Sequence, residues 1–166
     1  MTNALVQRPM QTVHVFDIAA KAWFTQSTTA QAEYYPVGRS SFCSVVASAR
    51  DNSSHNIYIY GGMVSDYPDA ASDQVFILTL PAFHWVLVYP SVKDKSEINA
   101  RNAIGHKCQK VHEKHMIVYG GHDCDSSNPQ GMLIYDMSSL TWTTTVELES
   151  PEYLVPKSLY DIIGGK

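Results

Sequence analysis

Two short segments of the chain combine residue types that bind metal ions. They read His122-Asp123-Cys124-Asp125 and His112-Glu113-Lys114-His115. A calcium loop of the EF-hand type would need glycine where Asn128 stands and a glutamate at its twelfth place, and a zinc site would need further Cys or His at fixed spacing. The HExxH zinc motif needs histidines at i and i+4 on a helix, whereas His112 and His115 are at i and i+3 in a predicted strand turn. The sequence therefore predicts turns at both segments, without a metal site or a cofactor.

Motifs that would carry catalysis do not occur in the sequence. It contains no GxSxG, GxxxxGK or HExxH motif, and it shows no nucleophile–base pair and no paired carboxylates. These absences favour a non-enzymatic binding module, with no catalytic residues, over an enzyme.

The three cysteines leave two arrangements open. The chain has an odd number of cysteines, Cys43, Cys108 and Cys124, and no two of them have CxxC spacing. One arrangement is a disulfide with one free thiol, and the other is three buried thiols, since Cys often serves as a small core residue. We expect the second arrangement, with Cys43 and Cys108 on corresponding strands of neighbouring repeats, buried and unbonded. A Cys43–Cys108 disulfide would contradict this expectation and would favour an oxidising compartment.

Two acidic loops supply the candidate binding residues. Residues 63–74 and 122–131 each follow a Gly-Gly pair, and neither loop contains Lys or Arg. We expect the loops to lie side by side on one face, where their carboxylates would steer a basic protein and Tyr67 would serve as an aromatic anchor. The alternative is that these polar residues only serve turn chemistry and solubility. The residues predicted to bind a partner are Asp66, Tyr67, Asp69, Asp73, His122, Asp123 and Asp125.

Charge and hydropathy limit the classes of partner. The net charge is −4 and the pI is about 5.9, without a run of Lys or Arg. Nucleic acids and anionic membranes are recognised through basic patches, so the sequence predicts no nucleic-acid partner and disfavours an anionic membrane. No apolar run approaches the roughly 18 residues that a membrane helix needs, so no membrane segment is expected in this chain.

The cellular location is left open by the residues themselves. Residues 1–12 lack the apolar core of a secretory signal. Asn52-Ser53-Ser54 is a sequon for N-linked glycosylation in a predicted turn. Sequons are frequent by chance, and this one matters only if the chain enters the secretory pathway.

The elements that position these residues form a repeat. Trp23, Trp85 and Trp142 are 62 and 57 residues apart, and a large apolar or aromatic residue stands seven residues before each. Each interval reads as strand, turn and strand, which predicts a hairpin. Upstream of the second and third hairpins, apolar runs at 57–60 and 116–119 end in Gly-Gly. Such a run predicts a strand buried on both faces, and the glycines permit a sharp exit and close approach of a neighbouring strand.

An arginine precedes another predicted strand in each copy, at Arg39 and Arg101. The arginines could contact a ligand carboxylate, or their planar donor forks could tie the backbones of adjacent blades together. We favour the structural role because both copies carry the residue, and for the same reason we assign the tryptophans to packing between blades rather than to sugar stacking. The structural repeat residues are Gly61, Gly62, Gly120, Gly121, Trp23, Trp85, Trp142, Arg39 and Arg101.

Four antiparallel strands per repeat predict an all-β fold made of propeller blades. Residues 13–30 would end one blade, 37–90 and 100–146 would form two full blades, and 147–166 would be a terminal strand or a linker. About two and a half blades cannot close a ring, so we expect residues 1–166 to be a fragment of one propeller.

The order of these features resembles the kelch repeat. In that repeat, an apolar run is followed by Gly-Gly, then by an aromatic or apolar residue, and after six further residues by Trp. The copies agree with this pattern in register over about residues 13–146. Two positions depart from it, since Leu78 replaces Tyr and Ala100 replaces Gly. The chain is also similar to fungal kelch proteins related to the central domain of galactose oxidase. That similarity includes residues 153–156 and 162–165 near the carboxyl end.

The resemblance implies a kelch-type β-propeller fragment whose loops bind a partner. It implies a non-enzymatic scaffold for protein, with a glycan as the other ligand class. The alternative is part of a copper radical oxidase whose active-site blades lie outside this chain. Many fungal relatives of this kind are secreted or membrane-anchored, which implies an extracellular location, and the cytoplasm is the alternative.

Overall fold

The structure is a computed structural model that describes residues 7–64, 71–90, 102–123, 131–149 and 152–163. Its first element is an antiparallel hairpin of β1 (Thr12–Asp17) and β2 (Ala22–Ser27). The two-residue strand β3 (Thr29–Ala30) follows, and then a 3-10 turn at Gln31–Glu33.

The next four strands form the first complete blade. They are β4 (Cys43–Ser48), β5 (His55–Tyr60), β6 (Val75–Leu80) and β7 (His84–Tyr89), and each pairs antiparallel with the next. Strand β3 adds to β7 in parallel, so the sheet order is β3-β7-β6-β5-β4. The blade matches the four strands that the sequence predicts.

The second blade repeats this arrangement. Its described elements are β8 (Ala103–Ile104), β9 (Lys107–Val111), β10 (His115–Tyr119), β11 (His122–Asp123), β12 (Leu133–Asp136) and β13 (Thr141–Thr143). Strands β13-β12-β10-β9 form one antiparallel sheet, and β8 pairs with β11. These open antiparallel sheets confirm the predicted all-β architecture of a propeller fragment. Among the described residues, no helix is long and apolar enough to cross a membrane.

The three tryptophans occupy the same place in three hairpins. Trp23 pairs with Phe16, Trp85 with Leu78 and Trp142 with Tyr135, so each ring faces the residue seven positions earlier. This register confirms the predicted hairpins and the equivalence of the last two tryptophans.

Trp85 and Trp142 also face the preceding repeat. Trp85 Nε1 donates a hydrogen bond to the Met10 carbonyl oxygen at 3.0 Å, and Trp142 packs on Tyr60 and Tyr89 of the first blade. Trp85 and Trp142 are 3% and 0% exposed, whereas Trp23 is 70% exposed. Packing between repeats therefore accounts for the positions of Trp85 and Trp142.

Strand β5 is buried on both of its faces. Tyr58 and Tyr60 belong to the core between the two blades, while Ile59 packs with Phe76 and Trp85 on the other side. Full burial of one such side chain stabilises the fold by about 1.5–3 kcal/mol. The continuous apolar run at 57–60 therefore reflects a strand with apolar neighbours in two directions.

All four glycines of the Gly-Gly pairs have positive φ, and at Gly61, Gly62 and Gly121 there is also no space for a Cβ. Gly61 has φ +68°, and a Cβ there would lie 2.6 Å from His106 Cε1. Gly121 has φ +81°, and its Cβ would lie 2.7 Å from the His106 backbone nitrogen. Side chains rarely adopt such φ values, and neither site has room for one. At Gly61 and Gly121 the glycines therefore allow both a positive φ and the close approach of a neighbouring segment, whereas a Cβ at Gly120 would meet open space.

The carboxyl-terminal segment differs from the prediction. In place of a terminal strand or a linker, residues 157–163 form a helix, α1 (Lys157–Ile163). The Pro156 carbonyl accepts the Leu159 and Tyr160 N–H groups at 2.8 and 3.2 Å, and Leu159 is fully buried in the core between the blades. Tertiary burial of one apolar face explains the helix, since a helix this short is marginal alone.

The same segment is tied to the blades through a buried phenol pair. Tyr58 Oη donates to the Met137 carbonyl oxygen at 2.8 Å and lies 2.9 Å from Tyr153 Oη, which also accepts from Asn56 Nδ2 at 3.1 Å. Burial raises the pKa of Tyr153 to about 12, and burial also raises the pKa of Tyr58 well above its ordinary value. Both hydroxyls therefore stay protonated and keep this contact over the physiological range.

Successive turns of the blades lie at alternate ends, because neighbouring strands run antiparallel. We call one end the loop face, where the chain leaves β5 and β10 through the glycine pairs. We call the other end the turn face. It carries the turns at 49–54, 81–83, 112–114 and 137–140.

Candidate binding face

The backbone of Ala103 links the two glycine-led loops on the loop face. Its carbonyl oxygen accepts the Gly62 N–H at 2.9 Å, and its own N–H donates to the Ser72 carbonyl at 3.5 Å. Ala103 also pairs with Asp123 in the β8–β11 ladder. Parts of the segments 63–74 and 122–131 thus flank the same residue.

Arg39 stabilises the base of the first loop from inside the blade. Its guanidinium donates to the Gly61 carbonyl at 3.0 Å, the Val37 carbonyl at 3.1 Å and Gln74 Oε1 at 3.2 Å. It lies 5.2 Å from the centroid of the Phe76 ring and is 7% exposed. Burial lowers its pKa to about 10, so it remains charged at neutral pH.

These contacts assign Arg39 a structural function. Its backbone acceptors, Val37 and Gly61, belong to its own repeat, so the fork braces one blade rather than bridging two. A buried donor fork is also withdrawn from solvent and cannot reach a ligand on the surface. Arg101 lies outside the described residues.

The predicted binding residues fall into two groups. Asp73 is half-buried next to Ser72, and His122 is exposed and pairs with Ile104. Asp123 is placed through its backbone, opposite Ala103. Outside the described residues lie Asp66, Tyr67, Asp69 and Asp125. Binding by this set stays a prediction.

The expectation of unbonded cysteines is wrong. Cys43 and Cys108 form a disulfide that joins β4 of the first blade to β9 of the second, with Cα atoms 5.5 Å apart. The reason is strand register. Cys43 pairs with Tyr60, one residue before Gly-Gly, whereas Cys108 pairs with Val118, two residues before it. This offset of one residue turns the two side chains to opposite faces of their sheets, and therefore toward each other.

His106 lies between the two blades beside this disulfide. Its Nε2 lies 3.1 Å from the Tyr60 carbonyl oxygen, which can only accept, so this nitrogen carries the proton of the bond. A ring nitrogen of His106 and both cysteine sulphurs lie within 4.8 Å of one another. Sequence reasoning missed this cluster, because His106 and Cys108 are far from Cys43 in the chain. The one available signal was the His-x-Cys triplet following the arginine of the second repeat.

The second histidine segment forms a turn, with an ionic cluster at its base on the turn face. Lys114 Nζ lies 2.6 Å from Glu147 Oε2 and 3.5 Å from Asp136 Oδ2, and its hydrogen bond to Glu147 raises its pKa. His115 is fully buried 3.8 Å from Asp136, and burial lowers its pKa. The predicted turn is present at residues 112–114. The cluster braces the β9–β10 and β12–β13 turns against each other.

Comparisons with known proteins address the family directly. No model of a protein family matches the chain. A curated relative from Arthroderma benhamiae, described as a kelch repeat-containing protein, is 32% identical over 192 aligned residues. The alignment covers 99% of this chain and 27% of the relative, so the chain spans about a quarter of the relative's length. The Gly-Gly strands, the tryptophan hairpins and this similarity agree, and the chain belongs to the kelch-repeat proteins.

Proposed function

We propose that this chain is part of a non-enzymatic scaffold that binds a protein partner through its loop face. The observation that carries the proposal is that strands and loops have different roles: the strands form the core, and the loops are held at their bases and lie at the surface. Strands such as β5 are buried on both faces, and Arg39 and the glycines brace the loop bases. Loops presented by a rigid framework are where binding residues concentrate.

The charge of the two loops indicates the kind of partner. Residues 63–74 and 122–131 contain five aspartates and neither Lys nor Arg. Gly62, which directly precedes the first segment, and Asp123 of the second segment both contact the backbone of Ala103. An acidic patch attracts a basic surface from a distance and discriminates against acidic proteins. We therefore propose a basic protein segment as the ligand.

A charge-neutralising variant tests the proposal. In the full-length protein, Asp66, Asp69 and Asp73 are changed together to Asn, and binding of a lysine-rich probe peptide is measured over a range of salt concentrations. Exposed charge pairs each contribute about 0.2–1 kcal/mol, so affinity should fall roughly tenfold at low salt and its salt dependence should flatten.

The matched control removes three carboxylates from the other side of the molecule. Asp17 and Glu113 lie at turn-face hairpins and Glu152 lies beside the Ala49–Ser54 turn. The variant D17N/E113Q/E152Q has the same net charge as the loop-face variant and should bind the peptide as the parent does. Equal losses in the two variants would reduce the effect to net charge, and unchanged affinity in the loop-face variant would refute the proposed face.

A further inference from the structure

We propose that Asn52 carries an N-linked glycan, which places a carbohydrate on the turn face of the first blade. Of the asparagines in the chain, only Asn52 is followed by a non-proline residue and then Ser or Thr. The triplet alone is weak evidence, because sequons occur by chance. Two features of the structure, independent of the triplet, give it weight.

The first feature is the position of Asn52 in the fold. It is exposed in the turn between β4 and β5, with φ +58°, and its backbone N–H donates to the Ala49 carbonyl at 2.9 Å. Asp51 Oδ1 accepts the Ser53 N–H and hydroxyl at 3.0 and 2.6 Å, so these hydrogen bonds of the turn do not use the Asn52 side chain. A glycan on the Asn52 amide would leave these bonds intact.

The second feature is the Cys43–Cys108 disulfide. Structural disulfides form and persist in the secretory pathway and outside the cell, and they are rare in the cytosol. N-linked glycans are added in that same pathway. The disulfide therefore indicates that the chain passes through the secretory pathway, where the sequon can be glycosylated.

The modification is a group transfer. The Asn52 Nδ2 atom attacks the anomeric carbon of an oligosaccharide carried on a polyprenyl diphosphate. The new carbon–nitrogen bond forms as the carbon–oxygen bond to the phosphate breaks, the lipid diphosphate leaves, and Nδ2 loses one proton. Ser54, which supplies the hydroxyl of the sequon, is 5% exposed in the folded blade. Transfer must therefore precede closure of the β4–β5 hairpin.

The folded surface has room for the attached sugar. A groove of about 290 Å³ beside Asn52 is bordered by Arg50, Glu113 and Glu152 and reaches down to Tyr153. These polar side chains can hydrogen bond to sugar hydroxyls. The groove is at the turn face, so the glycan would stay clear of the loop face.

The test is made on the full-length protein isolated from a eukaryotic secretory host with its own targeting signals. Mobility on a denaturing gel is compared before and after peptide N-glycosidase, and the peptide that contains residue 52 is examined by mass spectrometry. We expect a mobility shift and conversion of Asn52 to Asp on deglycosylation. An unmodified Asn52 peptide as the main species would overturn the proposal.

Three variants separate the glycan from effects on folding. Asn52→Gly removes the acceptor and tolerates the positive φ, and Ser54→Ala removes the sequon hydroxyl without changing Asn52. In both variants the peptide that contains residue 52 should carry no glycan. Ser53→Ala changes the middle residue, keeps the sequon and should retain the glycan on this peptide in full. Loss of the glycan in Ser53→Ala, or its persistence in Ser54→Ala, would also contradict the proposal.

Discussion

The Cys43–Cys108 disulfide is a covalent link between two repeats that also meet through side-chain packing and hydrogen bonds. It closes a sequence separation of 65 residues. Cross-links of this kind restrict the unfolded chain and typically stabilise a domain by about 2–4 kcal/mol. We expect the double variant C43A/C108A to lose stability in this range, measured by urea unfolding of the oxidised protein. Cys124→Ser is the control and should unfold like the parent, and a double variant as stable as the parent would contradict the link.

His115 makes stability depend on pH. Burial lowers its pKa, while Asp136 opposes and Lys114 supports that shift. As pH falls through about 6.5, the ordinary histidine value, the unfolded chain takes up the proton before the folded one does. Stability that is present above this pH is therefore lost below it. We expect His115→Gln to flatten the decrease in unfolding free energy between about pH 7 and pH 5, and a parallel decrease in both proteins would assign the dependence elsewhere.

At the scale of the element, the second glycine pair offers a matched comparison. Both glycines have positive φ, but a Cβ on Gly120 would meet open space, whereas a Cβ on Gly121 would lie 2.7 Å from the His106 nitrogen and the Ile104 oxygen. Gly120→Ala should cost only the backbone strain, about 1–2 kcal/mol. Gly121→Ala should cost clearly more, because backbone must move. Thermal unfolding of the two variants measures both losses of stability. Equal losses would mean that the close approach of the His106 and Ile104 backbone to Gly121 is unimportant for stability.

The elements also show what sequence patterns can predict. The Gly-Gly strands and tryptophan hairpins were predictable because their residue types are set by local structure. Gly61 is needed for a positive φ, and Trp142 makes a cross-strand contact. The helix α1 was not, since seven residues carry too little periodicity and its stability depends on burying Leu159 against distant strands. The disulfide was missed for a related reason. Which way Cys43 and Cys108 point depends on a register difference of one residue, which is fixed only when both strands are paired.

At the scale of the whole molecule, the two faces carry different chemistry. At the loop face, Arg39 and Ala103 hold the described ends of the segments 63–74 and 122–131, and the turn face carries the sequon and the Lys114 cluster. The start of each candidate loop could be predicted by counting from Gly-Gly in the sequence. Their binding function could not, because aspartates in a loop serve turns, solubility and recognition equally well.

The unequal exposure of the tryptophans makes the chain its own optical probe. Trp23 is 70% exposed, and Trp85 and Trp142 are buried. In the 166-residue chain, iodide should quench one component of the indole fluorescence, with emission at long wavelength, and Trp23→Phe should remove that component alone. If a further repeat packs against Phe16 and Trp23 in a longer protein, this emission should shift to shorter wavelength and become inaccessible to iodide. Assembly of the propeller could then be followed in real time without a label, and a Trp23 signal identical in both chains would show that this side stays open to water.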